Sequence, residues 1–201
     1  MGDVREGTRS REAIVEAARA LTIATGWDGV RMGAVARAAG VSRQTVYNEF
    51  GTKAGLAEAL ARWEVDRFVG AVRALLNAHG DDVRAAAHAT ISHTLAEAAN
   101  DPLIKAVLTS TRGGSDELLP YLTTRSELVL TEATEVLLEW ADRVLPGADR
   151  DAVAFATDSV VRLVISHIVL PGAPVTQTAA ALADLAVFLL AHALTRGDGS
   201  G

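Results

Sequence analysis

The sequence predicts an all-α protein of about nine helices, with a small N-terminal helical unit followed by a larger helical body. Three observations carry that expectation. Ala, Leu, Glu and Arg, all good helix formers, dominate a chain of 201 residues. Strand-type alternation of apolar and polar residues is absent. Gly, Pro and Asp recur at regular intervals, where helices stop and restart.

The first helix is expected over about Thr8–Thr25, with an apolar stripe of Ile14, Ala18 and Leu21 and with Gly26 ending it. A short second helix holds Met32, Val35, Ala36 and Ala39 at i, i+3, i+4 and i+7. A third begins at Ser42 and stops by Gly51, and a long fourth runs from Thr52 to about His79. Asp82 to Ala99 reads as the next. Asp101-Pro102 supplies an N-cap and a first-position proline for a helix ending near Arg112-Gly113-Gly114. Three more are expected at about 120–145, 149–170 and 176–195, the first two stopped by Pro146-Gly147 and Pro171-Gly172. Domain boundaries follow as 1–53 and 54–201, with the long helix 52–79 joining them.

Hydrophobic residues make up 49% and charged residues 22%, the balance of a globular chain with a core. The absence of cysteine rules out disulfides and thiolate metal sites. The polar, mixed-charge start Met1-Gly2-Asp3-Val4-Arg5-Glu6 is no signal peptide. No apolar run approaches the roughly 20 residues of a membrane span, so a cytoplasmic protein without membrane contact is expected.

The net charge is −6, which argues against nucleic acid until its distribution is read. Residues 1–53 hold eight Lys/Arg against six Asp/Glu, a net of +2; the remainder holds 11 against 19, a net of −8. An acidic body is repelled by phosphate, so any DNA contact belongs to the first fifty residues.

Within them, two short helices meet at Ala39-Gly40-Val41, where a steep crossing needs small residues and a left-handed position that Gly40 supplies. Val41, Val46 and Phe50 can face inward. Arg43, Gln44, Tyr47 and Asn48, at i, i+1, i+4 and i+5, then share the outward face. Such a set suits a helix lying in the major groove of double-stranded DNA. Arg can pair with guanine and Gln or Asn with adenine, each through two hydrogen bonds, and a Tyr hydroxyl can reach a phosphate. Lys53, at the positive end of the fourth helix, opposes the helix dipole unless a phosphate completes the site. Arg5, Arg9 and Arg11 can form either a minor-groove arm or a frayed terminus.

Gly26-Trp27-Asp28-Gly29, Val35-Ala36-Arg37-Ala38-Ala39-Gly40-Val41-Ser42 and Val46-Tyr47-Asn48-Glu49-Phe50-Gly51-Thr52-Lys53 together resemble the DNA-binding domain of the tetracycline-repressor (TetR) family over about Arg9–Leu60. The resemblance implies a three-helix helix-turn-helix domain and a C-terminal ligand-binding and dimerisation domain. It implies an all-helical dimer that binds a small ligand, and the expected function is a transcription repressor that such a ligand releases from its operator. The expected DNA-contacting residues are Arg31, Ser42, Arg43, Gln44, Thr45, Tyr47, Asn48 and Lys53. Two residues depart from the family pattern: Glu49 places an acid beside the recognition helix, and Arg31 stands where a small hydroxyl residue is common.

The body offers no constellation for catalysis and no phosphate loop, so no enzyme, cofactor or catalytic residue is expected. His88 and His93, five apart, do not share a helix face; His93 and Glu97 do, but two ligands make a weak metal site, and none is expected. A metal-responsive or effector-independent regulator is the alternative. Helices 149–170 and 176–195 are expected to build a homodimer. The first is apolar nearly all round, with Val153, Phe155, Val160, Val161, Leu163, Val164, Ile165, Ile168 and Val169. The second adds a seam of Leu182, Leu185, Ala186, Leu189 and Ala193. Isolated polar residues among apolar faces suggest a pocket for a small hydrophobic effector. They are Thr90, His93, Thr94, Glu97, Thr109, Arg112, Tyr121, Trp140, Arg162 and Ser166.

Overall fold

The structure is a computed structural model that describes the backbone of residues 3–101, 103–104 and 119–197, and the side chains of residues 9–101, 103–104 and 130–195. Eight α-helices occupy the described residues: α1 Asp3–Thr25, α2 Met32–Ala38, α3 Arg43–Phe50, α4 Lys53–Ala78, α5 Val83–Asn100, α6 Leu119–Val144, α7 Arg150–Val169 and α8 Val175–Gly197. A single 3-10 turn, Trp27–Gly29, links α1 to α2. The helix expected over about 101–112 lies outside the described residues except at its start. There the Asp101 carboxylate accepts hydrogen bonds from the Leu103 and Ile104 amides, as an N-cap does.

Two compact units divide within α4, between Asp66 and Arg67, and again within α6, between Arg125 and Ser126. The continuous helix α4 therefore contributes a first half to one core and a second half to the other. In the first unit α1 packs on α2, α2 on α3, and Ile14, Val15, Ala18, Val35, Val46, Leu56 and Leu60 are buried together. Trp27, the first residue of the 3-10 turn after α1, is also buried. Glu64 of α4 is fully buried in this unit and accepts a 2.5 Å hydrogen bond from Arg19 of α1.

In the second unit α5, α7 and α8 pack on one another. Ala179, Ala183, Ala186 and Ala193 are buried on α8, small residues that let helices approach closely. Asp82 caps α5 through the Ala85 amide, and Asp149 caps α7 through the Asp151 and Ala152 amides. Arg67 bridges Glu97 at 2.9 Å, and Arg73 bridges Glu139 at 3.0 Å.

Two expectations change. By length and composition alone α7 and α8 are each apolar enough to cross a membrane, although no uninterrupted apolar run is that long. Counting only unbroken runs missed this, because Asp158, Arg162 and Asp184 are the few charges that interrupt them. The seam expected on the last helix is partly used by the chain's own core. Leu182, Ala186 and Ala193 are buried within the single chain, whereas Phe155 and Val169 of α7 and Phe188 of α8 are exposed. The helical period turns Phe188 away from the buried face that holds Leu182 and Ala186.

Candidate functional site

The turn between α2 and α3 is closed by the backbone. The Val41 amide donates back to the Ala36 carbonyl at 3.0 Å, across Gly40 at φ 69°. That geometry is a Schellman closure, which requires a left-handed residue at Gly40. Ser42 then caps α3, its hydroxyl accepting from the Thr45 amide at 3.0 Å and lying 2.8 Å from the Thr45 hydroxyl. At the far end Gly51, at φ 68°, reverses the chain into α4, which Thr52 caps through the Gly55 amide.

This framework sets the faces of α3. Val46 and Phe50 are buried, while Arg43, Gln44, Tyr47, Asn48 and Glu49 are exposed. The outward set is internally paired along the helix. Gln44 donates to the Asn48 carboxamide oxygen at 2.8 Å, and Arg43 donates to the Tyr47 hydroxyl at 3.3 Å with its guanidinium 5.5 Å from the Tyr47 ring centre. Each pair spans one turn, so the four side chains are held as two paired units on one face.

Arg31 N-terminates α2, and its guanidinium folds back to the Asp28 and Val30 carbonyls of the 3-10 turn. Lys53 begins α4 with its ammonium 5.2 Å from the ring centre of buried Trp27. A cation–π contact thus offsets part of the dipole penalty that the sequence assigned to this lysine. Glu49, the unexpected acid, is bridged by Arg11 of α1 at 3.3 Å, and the same guanidinium lies 4.6 Å over the Phe50 ring. Arg9 and Arg11 therefore belong to a helix rather than to an extended arm; the Arg5 side chain lies outside the described residues. The Arg11 contact joins residues 38 apart, so spacing within α3 gives no sign of it.

A second candidate site lies wholly within the second unit. A cavity of about 120 Å³ is walled by α4, α5, α6, α7 and α8, among them Phe68, Val72, Ile91, Leu137, Val161, Val164 and Ile168. Of the residues that the sequence nominated, Thr90, Thr94 and Trp140 line it. His93 does not: its ring stacks on Phe68, centroids 6.5 Å apart. Glu97 is turned to the Arg67 guanidinium. Arg162 and Ser166 stand on the exposed side of α7, in line with Phe155 and Val169. Asp158 bridges Arg162 at 2.7 Å, and that hydrogen bond together with the carboxylate charge raises the guanidinium pKa further above its ordinary value. Thr109, Arg112 and the Tyr121 side chain lie outside the described residues. Among the described residues, no three His, Cys, Asp or Glu side chains converge into a metal-binding group.

Comparison with known proteins matches both parts of the chain to one family. Residues 14–60 match the family described as bacterial regulatory proteins, tetR family, and residues 82–187 match the bacterial tetracyclin repressor C-terminal domain. The HTH-type transcriptional regulator AlkX of Mycobacterium tuberculosis is 35% identical over 176 residues, covering 87% of this chain and 82% of that one. The crystal structure of the TetR-family repressor AlkX from a Dietzia strain, implicated in biodegradation of n-alkanes, superposes with a TM-score of 0.66 at 31% identity, over 90% of this chain and 97% of that one. A TetR-type regulator from Mesorhizobium loti shares the fold, with a TM-score of 0.71 at 16% identity over 92% and 97% of the two chains. The chain belongs to the TetR family of DNA-binding transcriptional regulators.

Proposed function

We propose that this regulator is a cytoplasmic repressor that holds an approximately palindromic operator as a twofold dimer and releases it when a small, mainly apolar molecule enters the cavity of the second unit. The observation that carries the effector is the cavity itself, about 120 Å³ with an almost wholly apolar wall. That volume is of the same order as the ~150 Å³ apolar cavity known to take up benzene. The involvement of the Dietzia relative in n-alkane biodegradation favours an effector with an alkyl chain.

The dimer is supported by the exposed apolar stripe of α7 and α8, at Phe155, Leu163, Val169, Phe188 and Leu194. A closed twofold pair covers that stripe on both copies at once, and its symmetry passes to the operator as two half-sites. On each half-site α3 enters the major groove. Arg43, Gln44 and Asn48 face base edges, and Arg31, Ser42, Thr45, Tyr47 and Lys53 face the backbone. Coupling follows from α4, one continuous helix shared by both cores. An effector that prefers one disposition of the two helix-turn-helix units disfavours the operator-bound one by the same free energy.

The test has two steps. Footprinting on DNA flanking the gene locates the operator. Gel shifts with alkyl compounds that raise the thermal midpoint then measure release. Compounds that stabilise the protein yet leave operator affinity unchanged refute the effector role.

A further inference from the structure

We infer that the cavity selects an alkyl compound whose buried end carries an uncharged, hydrogen-bond-accepting oxygen, an alcohol or ester rather than a bare hydrocarbon or a carboxylate. This rests on the effector reading above and narrows its ligand. Two side chains that line the cavity each bury a polar atom without a hydrogen-bond partner: Thr90 its hydroxyl oxygen and Trp140 its indole nitrogen. Both residues are more than nine-tenths buried. The neighbouring Thr94 is different, since its hydroxyl donates to the Thr90 carbonyl at 2.9 Å.

Buried polar atoms are almost always paired, so two orphans in the wall of one cavity call for a partner that comes from outside the chain. The indole nitrogen can only donate, so that partner must accept. The Thr90 hydroxyl can donate to a ligand oxygen or accept from an alcohol. Charge is the second selector. Among the described wall residues none is charged. An ionised carboxylate placed there would lose its hydration without a counter-ion, which strongly disfavours it. A bare hydrocarbon fills the volume but leaves both orphans unpaired, the situation in which a site built around hydrogen bonds discriminates best. The reaction class that supplies such a ligand is oxygenation of an alkyl chain, or esterification of the product.

Six-carbon probes match the cavity volume. Binding of hexan-1-ol, methyl pentanoate, benzene and hexanoate at pH 8 is measured by calorimetry on the full-length chain, with Trp140→Phe and Thr90→Val beside the parent. Trp140→Phe is expected to weaken hexan-1-ol and methyl pentanoate about tenfold, about 1.4 kcal/mol, and to leave benzene equal or tighter. Methyl pentanoate is expected to bind at least tenfold more tightly than hexanoate. Thr90→Val removes an orphan hydroxyl in a near-isosteric side chain, so its ligand-free thermal midpoint is expected to hold or rise. Parallel losses for benzene and hexan-1-ol, hexanoate binding equal to the ester, or no binding of any probe would each overturn the inference. Operator release is measured separately. An alcohol that binds as expected but leaves operator affinity unchanged refutes the effector reading and leaves the ligand selectivity standing.

Discussion

Replacing Phe155 by Ala should separate the proposed dimer without unfolding its protomers. Phe155 is 70% exposed in the single chain. A Phe side chain carries roughly 200 Å² of surface, so about 140 Å² is open to a partner. At ~25 cal/mol per Å², complete burial is worth about 3.5 kcal/mol per copy. Half-burial, more realistic for one residue in an interface, gives about 1.7 kcal/mol. Because a twofold interface contains the residue twice, the dimer loses about 3.5 kcal/mol, or roughly 2.5 decades in dissociation constant. Phe188, 71% exposed on α8, should behave the same way. Sedimentation or light scattering across a concentration series reads the dissociation constant directly, and circular dichroism should keep the helical signal of the parent. Operator affinity should fall in step, since one recognition helix alone makes half the contacts. A dissociation constant within threefold of the parent for both variants would refute the placement of the interface on α7 and α8.

Three further outcomes are expected at the N-terminal unit. Tyr47→Phe and Lys53→Ala should weaken binding to all sequences, the lysine change also flattening its salt dependence, whereas Gln44→Ala and Asn48→Ala should change the preferred bases; a binding-site selection with both classes alike refutes the division. Arg11→Ala should cost under about 1 kcal/mol of stability, as a half-exposed pair does, yet reduce operator affinity about tenfold by leaving Glu49 unbridged beside phosphate. Gel shifts in which Glu49→Gln fails to restore affinity in that background would count against the repulsion. Arg19→Met should destabilise by about 3–5 kcal/mol, because it strips a guanidinium from fully buried Glu64; a denaturant midpoint that does not recover in the Arg19→Met, Glu64→Leu double variant would show that the loss is not electrostatic.

Much of the helix-turn-helix framework was legible in the sequence because its determinants are local. Gly40 and Gly51, the Ser42 cap, and the i, i+4 spacing of Val46 and Phe50 against Gln44 and Asn48 act within one or two turns of helix. Periodicity fixes such features before any packing occurs. What spacing could not give were contacts between residues far apart in the chain. Arg11 on Glu49 joins residues 38 apart, and Arg19 on Glu64 joins residues 45 apart. Each of these side chains reads as an ordinary solvated charge until α1 is laid against α3 and α4.

The body divides in the same way. Its helices and caps at Asp82 and Asp149 were set by the sequence alone, through propensity and the first turn's unsatisfied amides. The roles of its polar residues were not. Thr90, Thr94 and Trp140 face the cavity, while His93, Glu97, Arg162 and Ser166 are engaged elsewhere or exposed, although all were equally plausible on helical wheels. A wheel fixes the angle between two side chains on one helix, but only the packing of α4, α5, α6, α7 and α8 decides which angle meets a neighbour, a cavity or water. For the same reason α7, apolar nearly all round, could not announce which of its sides is core and which is left for a partner. That choice belongs to the tertiary structure, because burial is a property of the space between helices and not of any one of them.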